Sequence, residues 1–256
     1  MTVLVLTSAH GAPGVTTTAL ALTWVWPSVR PGRRVLLVDA DPAGSGLLTG
    51  WLSGQLPDSV GVAALAAARG PLSPADVVEC AVALDADASR MLLPGVVDPS
   101  QARPLASTWA VLSDAAVELS DRGVDVVVDA GRLGHRHEPA AWWPTADVLA
   151  VVSRGDLASV IPAAAALRSL AGTRAGRSAP MAIVVDPGVY RRPELATALN
   201  VEVVQIVSRD VPSARAALDG TTRGTRFDRS ALARSARSIV EQLAVLAPDV
   251  DLEAVP

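Results

Sequence analysis

Short apolar runs alternate along the chain with longer runs rich in alanine and leucine. Some short runs are apolar at every position, such as Val126–Val128, which is typical of strands buried on both faces. The predicted strands are Thr2–Ser8, Arg34–Asp39, Met91–Pro94, Val124–Asp129, Val148–Ser153, Met181–Asp186 and Glu202–Val207. The alternation predicts an α/β fold, doubly wound, with helices flanking a mostly parallel sheet of about seven to eight strands.

The predicted helices fill the intervals between the strands. Pro27 is expected to end the first helix, because proline interrupts the helical hydrogen-bond pattern. The helices are Val15–Trp26, Ser45–Leu52, Gly61–Arg69, Pro74–Val82, Pro104–Arg122, Leu157–Ala171, Pro193–Leu199, Val211–Leu218 and Arg229–Leu246. Predicted surface loops are Gly54–Val60, Ala83–Arg90, Gly131–Pro139 and Gly172–Pro180. We expect one domain over residues 1–246 and a short acidic tail at 247–256.

Composition supports a large buried core. Half of the residues are hydrophobic and 19% are charged. No apolar run reaches the roughly 18 residues of a membrane span, and Met1–Leu6 resembles a first buried strand more than a signal peptide. The single cysteine fits a reducing cytoplasm, so we expect a cytoplasmic protein. A net charge of −4 provides no general attraction to nucleic acid.

A glycine-rich segment joins the first predicted strand to the first predicted helix. Backbone N–H groups in such a turn can bind an anion at the helix start. A Walker A loop has the form G-x-x-x-x-G-K-[ST], in which the lysine contacts phosphates and the hydroxyl contacts magnesium. Here Gly14 and Thr16 take the glycine and hydroxyl places, and Val15 takes the lysine place. The 22 basic side chains are all arginines, so the sequence contains no lysine.

Aspartates close two of the predicted strands. Asp39 ends the second strand and Asp41 lies two residues further on, and Asp129 ends the strand Val124–Asp129. The carboxyl ends of parallel strands meet at one edge of a sheet, where doubly wound folds bind ligands. We therefore expect these carboxylates to share a crevice with the glycine-rich loop.

These three segments, in this order, resemble the ParA/MinD group of deviant-Walker P-loop ATPases. The first is similar to the group's loop K-G-G-x-G-K-T-[TS], and matches it at Gly11, Gly14, Thr16 and Thr17. Val35–Gly44 resembles the motif V-L-L-I-D-x-D-P-Q-G, and Val124–Gly131 resembles the Walker B strand. The resemblance extends over nearly the whole chain, and Ser208–Pro212 is similar to the CpaE-like branch.

The resemblance assigns roles to residues of this sequence, with ATP and magnesium as the cofactors it implies. Asp39 would lie near the attacking water, and Thr16 and Asp129 would hold magnesium, with Asp41 a further candidate. The nucleotide-binding positions would be His10, Gly11, Gly14, Val15, Thr16 and Thr17. His10 occupies the place of the group's second lysine, and Val184–Pro187 lies where the group often has an asparagine that reads the base. The same residues also have a structural interpretation, as turn glycines, helix-start threonines and strand-end caps.

Loss of both lysines favours a pseudo-ATPase with a degenerate Walker A loop. Phosphoryl transfer depends on positioning and charge stabilisation, so hydrolysis should be near background. The resemblance then implies a homodimer that works as an adaptor or localisation factor. Its protein partners would belong to pilus or secretion assembly, or to septum or chromosome positioning.

Two alternatives stay open at this stage. The chain would be an active ATPase if arginine or histidine replaced the lysines, and the candidate arginines by position, after the Walker B strand and the strand that follows it, are Arg132, Arg136 and Arg154. It would be a non-specific DNA-binding partition protein if the basic C-terminal cluster contacted DNA. That cluster comprises Arg223, Arg226, Arg229, Arg234 and Arg237.

The last predicted helix has an apolar stripe that should face the core, which leaves its arginines to solvent. The stripe consists of Leu232, Ala236, Ile239, Val240 and Leu243. Acidic residues follow this helix, so no MinD-type membrane tail is expected. Trp142 and Trp143 are adjacent, and we expect at least one of them to be exposed or to lie at an interface. His135 and His137 are more typical of a solvated loop than of a metal site.

Overall fold

Eight strands form one sheet in the part of the chain that the computed structural model describes, residues 3–50, 57, 59–68, 71–173, 179–221 and 225–246. The strands are β1 (Val3–Ser8), β2 (Arg34–Asp39), β3 (Val82–Ala83), β4 (Arg90–Leu93), β5 (Val124–Arg132), β6 (Val148–Arg154), β7 (Met181–Val185) and β8 (Val204–Val207). Their order is β3-β4-β2-β5-β1-β6-β7-β8, and only the β3–β4 pair is antiparallel. The end of the predicted helix Ser45–Leu52, Arg223 and the predicted tail lie outside the described residues.

Helices connect the strands and cover the sheet. They are α1 (Val15–Val29), α2 (Leu47–Gly50), α3 (Val62–Ala67), α4 (Pro74–Glu79), α5 (Ala106–Asp121), α6 (Trp142–Thr145), α7 (Leu157–Thr173), α8 (Arg192–Leu199), α9 (Val211–Leu218), α10 (Thr225–Asp228) and α11 (Ala231–Leu246). A 3-10 helix at Pro99–Leu105 precedes α5.

The sheet separates two hydrophobic cores. Side chains alternate along β1, so Val3 and Val5 pack on the side of α5 and α7, while Leu4 and Leu6 pack on the side of α1 and α11. All six residues of β1 are buried. The three-layer arrangement therefore confirms the predicted doubly wound α/β fold.

Helix α1 is longer than the sequence predicted, because Pro27 lies inside it and does not end it. Proline removes only its own N–H, and the helical pattern continues with Arg30 N–H donating to the Trp26 carbonyl at 2.9 Å. Trp26, the residue before this proline, is fully buried. Burial of this large side chain offsets the missing hydrogen bond.

Helix α4 is shorter than predicted, and Val82–Ala83 is a strand. The helix ends at Glu79, where Cys80 N–H still donates to the Asp76 carbonyl at 3.1 Å. Val82 and Ala83 then pair with Leu92 and Met91 on the outer edge of β4. Pairing satisfies backbone groups that this edge would otherwise expose, which is why a segment predicted as helix end and loop becomes a strand.

Strand β5 continues three residues past its predicted end at Asp129. Gly131 has a φ of 63°, and the register with β1 shifts between Leu6 and Ser8. The Thr7 hydroxyl donates to the Gly131 carbonyl at 3.1 Å, and the shifted register pairs Ser8 with Arg132. A bulge at glycine thus extends the strand and sets Arg132 beside the residue where β1 ends.

Both members of the tryptophan pair are buried, so the expectation that one is exposed or at an interface was wrong. Trp142 is 0% and Trp143 8% exposed. They lie on the one-turn helix α6, which contacts both α5 and β1. Adjacent helical residues are about 100° apart, so an element packed on two sides can bury both.

A buried ionic cluster closes the amino-terminal end of the sheet. Asp125 is fully buried and accepts hydrogen bonds from Trp26 Nε1 at 2.8 Å and from Arg33 Nε and Nη2 at 2.8 and 2.7 Å. Arg30 Nε lies 3.6 Å from the same carboxylate. The cluster joins the end of α1 and the start of β2 to β5, far from the carboxyl ends of the strands.

Among the described residues, no helix combines the length and apolarity that crossing a bilayer requires.

Candidate functional site

The predicted glycine-rich loop leads from β1 directly into α1. Gly14 precedes the helix with a φ of 106°, and Gly11 has a φ of 61°. Residues with a Cβ rarely adopt these φ values, so glycine is required for the turn itself. No side chain caps the start of α1, which leaves its first N–H groups available to an anion.

The two places of the missing lysines differ in environment. Val15 is 7% exposed and packs into the core on the α1 and α11 side. His10 is exposed at the beginning of the loop. Neither position therefore supplies a fixed positive charge where phosphates would bind.

Thr16 and Asp129 are brought together as the resemblance implied. The Thr16 hydroxyl donates to Asp129 Oδ2 at 2.5 Å, and Gly131 N–H donates to Asp129 Oδ1 at 3.0 Å. Burial raises the pKa of Asp129 to about 6, although these two hydrogen bonds act in the opposite direction. A hydroxyl and a carboxylate are oxygen ligands that fit the partial protein shell of a phosphate-bound magnesium ion.

Asp39 lies opposite Asp129 in the register of β2 with β5. Burial, together with the Asp129 charge, raises the pKa of Asp39 to about 8. The Ser45 hydroxyl donates to Asp39 Oδ2 at 2.6 Å. Ser45 was not predicted as a site residue, and its only signal in the sequence is its position just after the Asp41–Gly44 turn.

Asp41 approaches the same site from the turn after β2. Its Oδ1 accepts from Ala43 N–H at 2.8 Å, which fixes the turn. A Cβ at Gly131 would lie only 2.5 Å from the Asp41 carboxyl carbon, so this contact requires glycine. The structure thus places the predicted acidic residues at one end of adjacent strands. Their roles toward a nucleotide remain predictions.

The raised pKa of Asp39 gives the fold a pH dependence. Between pH about 4 and about 8 the unfolded chain has released this proton and the folded chain retains it, so the free energy of unfolding should fall as pH rises. We expect Asp39→Asn to flatten this fall by up to about 1.4 kcal/mol per pH unit. Urea unfolding at pH 5, 6.5 and 8 measures the effect. The exposed control Asp114→Asn should keep the wild-type slope, and an unchanged slope in Asp39→Asn would contradict the assignment.

Two clefts open on either side of the loop and share Ala12, Pro13, Gly14 and Thr17. The first, the loop cleft, has a volume of about 260 Å³ and extends toward β5 and the turn after β2. The second, the side cleft, also has a volume of about 260 Å³ and extends toward the ends of β7 and β8. Together they form a continuous surface around the start of α1.

Arginines line both clefts. Arg132 is exposed and lines the loop cleft together with Thr16 and Asp41. Arg154 lines the side cleft, and its Nε lies 3.7 Å from an Asp156 carboxylate oxygen. Arg136 lines neither cleft and donates to His137. Of the three arginines named from the sequence, Arg132 alone faces the loop cleft.

The described residues contain no cluster of three or more His, Cys, Asp or Glu side chains suited to holding a metal by themselves. The loop histidines His135 and His137 have ring centroids 5.9 Å apart, and His137 N–H donates to His135 Nδ1 at 3.2 Å. Burial and neighbouring cations lower the pKa of His137. Both histidines lie in the loop between β5 and α6.

A glycine-rich loop after β1, with the Asp129 and Asp39 carboxylates near the carboxyl ends of β5 and β2, is the arrangement of a P-loop fold. The chain is similar to the cell division ATPase MinD of Pyrococcus furiosus, with 18% identity, 96% and 100% coverage of the two chains and a TM-score of 0.74. It is also similar to a ParA family ATPase of Chlorobium tepidum, with 17% identity, 94% and 98% coverage and a TM-score of 0.73.

The MinC:MinD cell division protein complex of Aquifex aeolicus contains a third similar chain, with 18% identity, 100% and 98% coverage and a TM-score of 0.68. No protein-family model matches the sequence, and no curated protein matches it significantly. The chain therefore has the MinD/ParA fold that its three motifs predicted. Its placement in the CpaE-like branch stays a prediction.

Proposed function

We propose that this protein is a hydrolysis-deficient P-loop protein of MinD/ParA type that binds nucleotide weakly and acts as an adaptor or localisation factor. The observation that carries the proposal is Val15, a buried aliphatic side chain at the lysine place. Cationic groups account for most of the charge stabilisation in phosphoryl transfer, and a single in-trans arginine contributes roughly 10³- to 10⁵-fold. With no lysine in the sequence, an identical partner subunit has none to offer either.

The magnesium side of the site supports residual nucleotide binding. Thr16 and Asp129 would hold the ion, with Asp39 and Asp41 close by. Magnesium would supply charge neutralisation for the phosphates and for this acidic group. The uncapped start of α1 adds backbone donors from the opposite side.

Exposed apolar side chains support a protein partner. Leu157 and Ile161 are adjacent on the first turns of α7, and Val189 follows β7. All three lie toward the same end of the sheet as the loop. Apolar side chains that are exposed side by side, as those of Leu157 and Ile161 are, are typical of interaction surfaces. The proposed partners are a second copy of this chain and components of pilus or secretion assembly, or of septum or chromosome positioning.

The DNA-binding alternative receives less support. The predicted stripe of α11 is buried, as expected, and leaves Arg234 exposed. However, Arg234 donates to the Arg229 carbonyl, while Arg237 donates to the Asp228 carbonyl at 2.9 Å and lies 3.8 Å from its carboxylate. These local bonds favour a solvated helix over a surface for phosphate contacts.

A second candidate function rests on Arg132. This side chain faces the loop cleft and could replace a lysine as a phosphate-binding cation, as in an active ATPase. We expect Arg132→Ala to weaken binding of ATP by roughly 10- to 100-fold, because a charge-assisted hydrogen bond contributes roughly 1.5–3 kcal/mol. Calorimetric titration in the presence of magnesium measures this. The matched control Arg136→Ala removes the same charge away from the cleft and should bind as the wild type does, whereas equal losses would exclude a direct contact.

Light scattering combined with phosphate release tests the proposal. The protein should keep the same oligomeric state with ATP, with ADP and without nucleotide, while free phosphate accumulates no faster than in buffer. Dimerisation on addition of ATP, followed by phosphate release and dissociation, would instead identify an ATP-gated switch. Asp39→Ala, which removes the proposed water-positioning carboxylate, should then abolish release.

A further inference from the structure

The side cleft differs in character from the loop cleft. Its walls are largely apolar and include Val185, Val207 and Leu232. Its polar side chains include Asp186 and Arg209, which lie at the ends of β7 and β8. A cleft of about 260 Å³ with apolar walls and a few polar groups fits a planar heterocycle. If phosphates occupy the loop cleft, the rest of a nucleotide reaches this cleft around Gly14.

The backbone of Asp186 is held firmly at the mouth of this cleft. Its N–H donates to the Val207 carbonyl at 3.1 Å, and its carbonyl accepts from Gly155 N–H at 3.3 Å. Asp186 has a φ of 56°, a left-handed conformation that is uncommon outside glycine, asparagine and aspartate. Gly155 packs closely against Pro187, because a Cβ added to Gly155 would lie only 2.5 Å from the Cα of Pro187. The backbone of Asp186 is therefore held from both sides, by the end of β8 and by the residue that follows β6.

Arg209 stands next to that carboxylate. Its Nη1 lies 3.7 Å from Asp186 Oδ2, and both side chains are partly exposed to the cleft. The side cleft is also lined by Asp210, whose carboxylate caps α9. Its Oδ1 accepts a hydrogen bond from Ser213 N–H at 3.2 Å. Asp186 and Arg209 thus present an acceptor-only group beside a donor-only group.

This pair matches the hydrogen-bonding edge of guanine better than that of adenine. Guanine offers two adjacent donors, N1–H and N2–H, next to the acceptor O6, which a carboxylate and a guanidinium complement. Adenine offers the N6 amino donor where guanine has O6, and its unprotonated N1 would face the carboxylate. An ionised carboxylate cannot donate to that nitrogen, whereas an amide side chain can.

We propose that the side cleft selects guanine over adenine, with Asp186 and Arg209 as the specificity-determining residues. This inference rests on the proposed function, because it takes the phosphates of the same nucleotide into the loop cleft. The ligand of the protein is then a guanine nucleotide, because the Asp186 carboxylate and the Arg209 guanidinium of the side cleft complement the hydrogen-bonding edge of guanine.

Calorimetric titration of the full chain with GDP and with ADP, both with magnesium, tests the inference. The dissociation constant for GDP should be about 10- to 100-fold lower than that for ADP, the discrimination of a good bidentate base contact. Asp186→Asn should abolish or reverse this preference, because asparagine tolerates the same backbone conformation and can also donate to adenine N1. Arg209→Ala should weaken GDP binding more than ADP binding.

The exposed control Asp121→Asn, at the opposite end of the sheet, should leave the preference unchanged. Equal affinity for GDP and ADP, tighter binding of ADP, or no binding of either nucleotide overturns the inference. So does a preference for GDP that survives in Asp186→Asn. Release of phosphate from GTP or ATP in the same samples would contradict the proposed lack of hydrolysis and leave the base preference intact, so the two failures are distinguishable.

Discussion

Replacing Val15 with lysine is expected to tighten binding of ATP and GTP by roughly 10- to 100-fold, the gain from one charge-assisted hydrogen bond to a phosphate. The loop already has its two left-handed glycines and an uncapped helix start, so the turn itself needs no change. The stem of the new lysine can occupy part of the apolar space that the valine fills now, while its ammonium group reaches the loop cleft. Calorimetric titration with each nucleotide and magnesium measures the gain.

The matched control for this substitution is Val15→Met, which has a long stem and no charge. It should bind nucleotide as weakly as the wild type. If Val15→Lys binds no more tightly than Val15→Met while both remain folded by circular dichroism, the loop does not hold phosphates in the manner inferred from its geometry. Weak binding would then have a cause other than the missing cation.

Replacing Asp125 with alanine is expected to lower the free energy of unfolding by roughly 3–5 kcal/mol, because removing one partner of a buried ion pair leaves the other charge uncompensated. The Arg30 and Arg33 side chains are 4% and 16% exposed, and Trp26 Nε1 would lose its acceptor as well. Urea unfolding of the wild type and the variant measures the difference.

Glu118→Ala is the matched control for Asp125→Ala. Glu118 lies 3.8 Å from Arg122, and both side chains are more than half exposed, at 61% and 65%. An ion pair in solvent contributes little to stability, so this variant should unfold almost as the wild type does. Similar losses in the two variants would show that the Asp125 cluster is not the anchor of α1 and β2.

The sequence predicted the central sheet well because its signal is local. Continuous apolar runs such as Val126–Val128 are unusual outside strands that are buried on both faces. Such short apolar runs predicted every parallel strand of the sheet. Where tertiary contacts decided the outcome, local patterns failed. Pro27 lies inside α1 next to the buried Trp26, and Val82 pairs with the edge strand β4.

The candidate site was predictable only in part, for a similar reason. Asp39 and Asp129 can be recognised in the sequence because each is a carboxylate at the end of an apolar run. The register of β2 with β5 then places them side by side. The role of Arg132 depends on a bulge at Gly131, which no local pattern indicated. The pairing of Asp186 with Arg209 depends on two strand ends meeting across 23 positions of sequence, and only the folded chain reveals it.

Single-turnover phosphate release is the most direct test of the central claim, that a P-loop without lysine holds nucleotide and does not hydrolyse it. The protein is incubated with magnesium and GTP, and separately with magnesium and ATP. Its concentration exceeds both that of the nucleotide and the measured dissociation constant for that nucleotide, so that slow product release cannot hide the chemical step. We expect free phosphate to appear no faster than in protein-free buffer, since the missing cations correspond to a rate loss of roughly 10³-fold or more. Release at a rate well above buffer that disappears in Asp39→Ala would contradict the account.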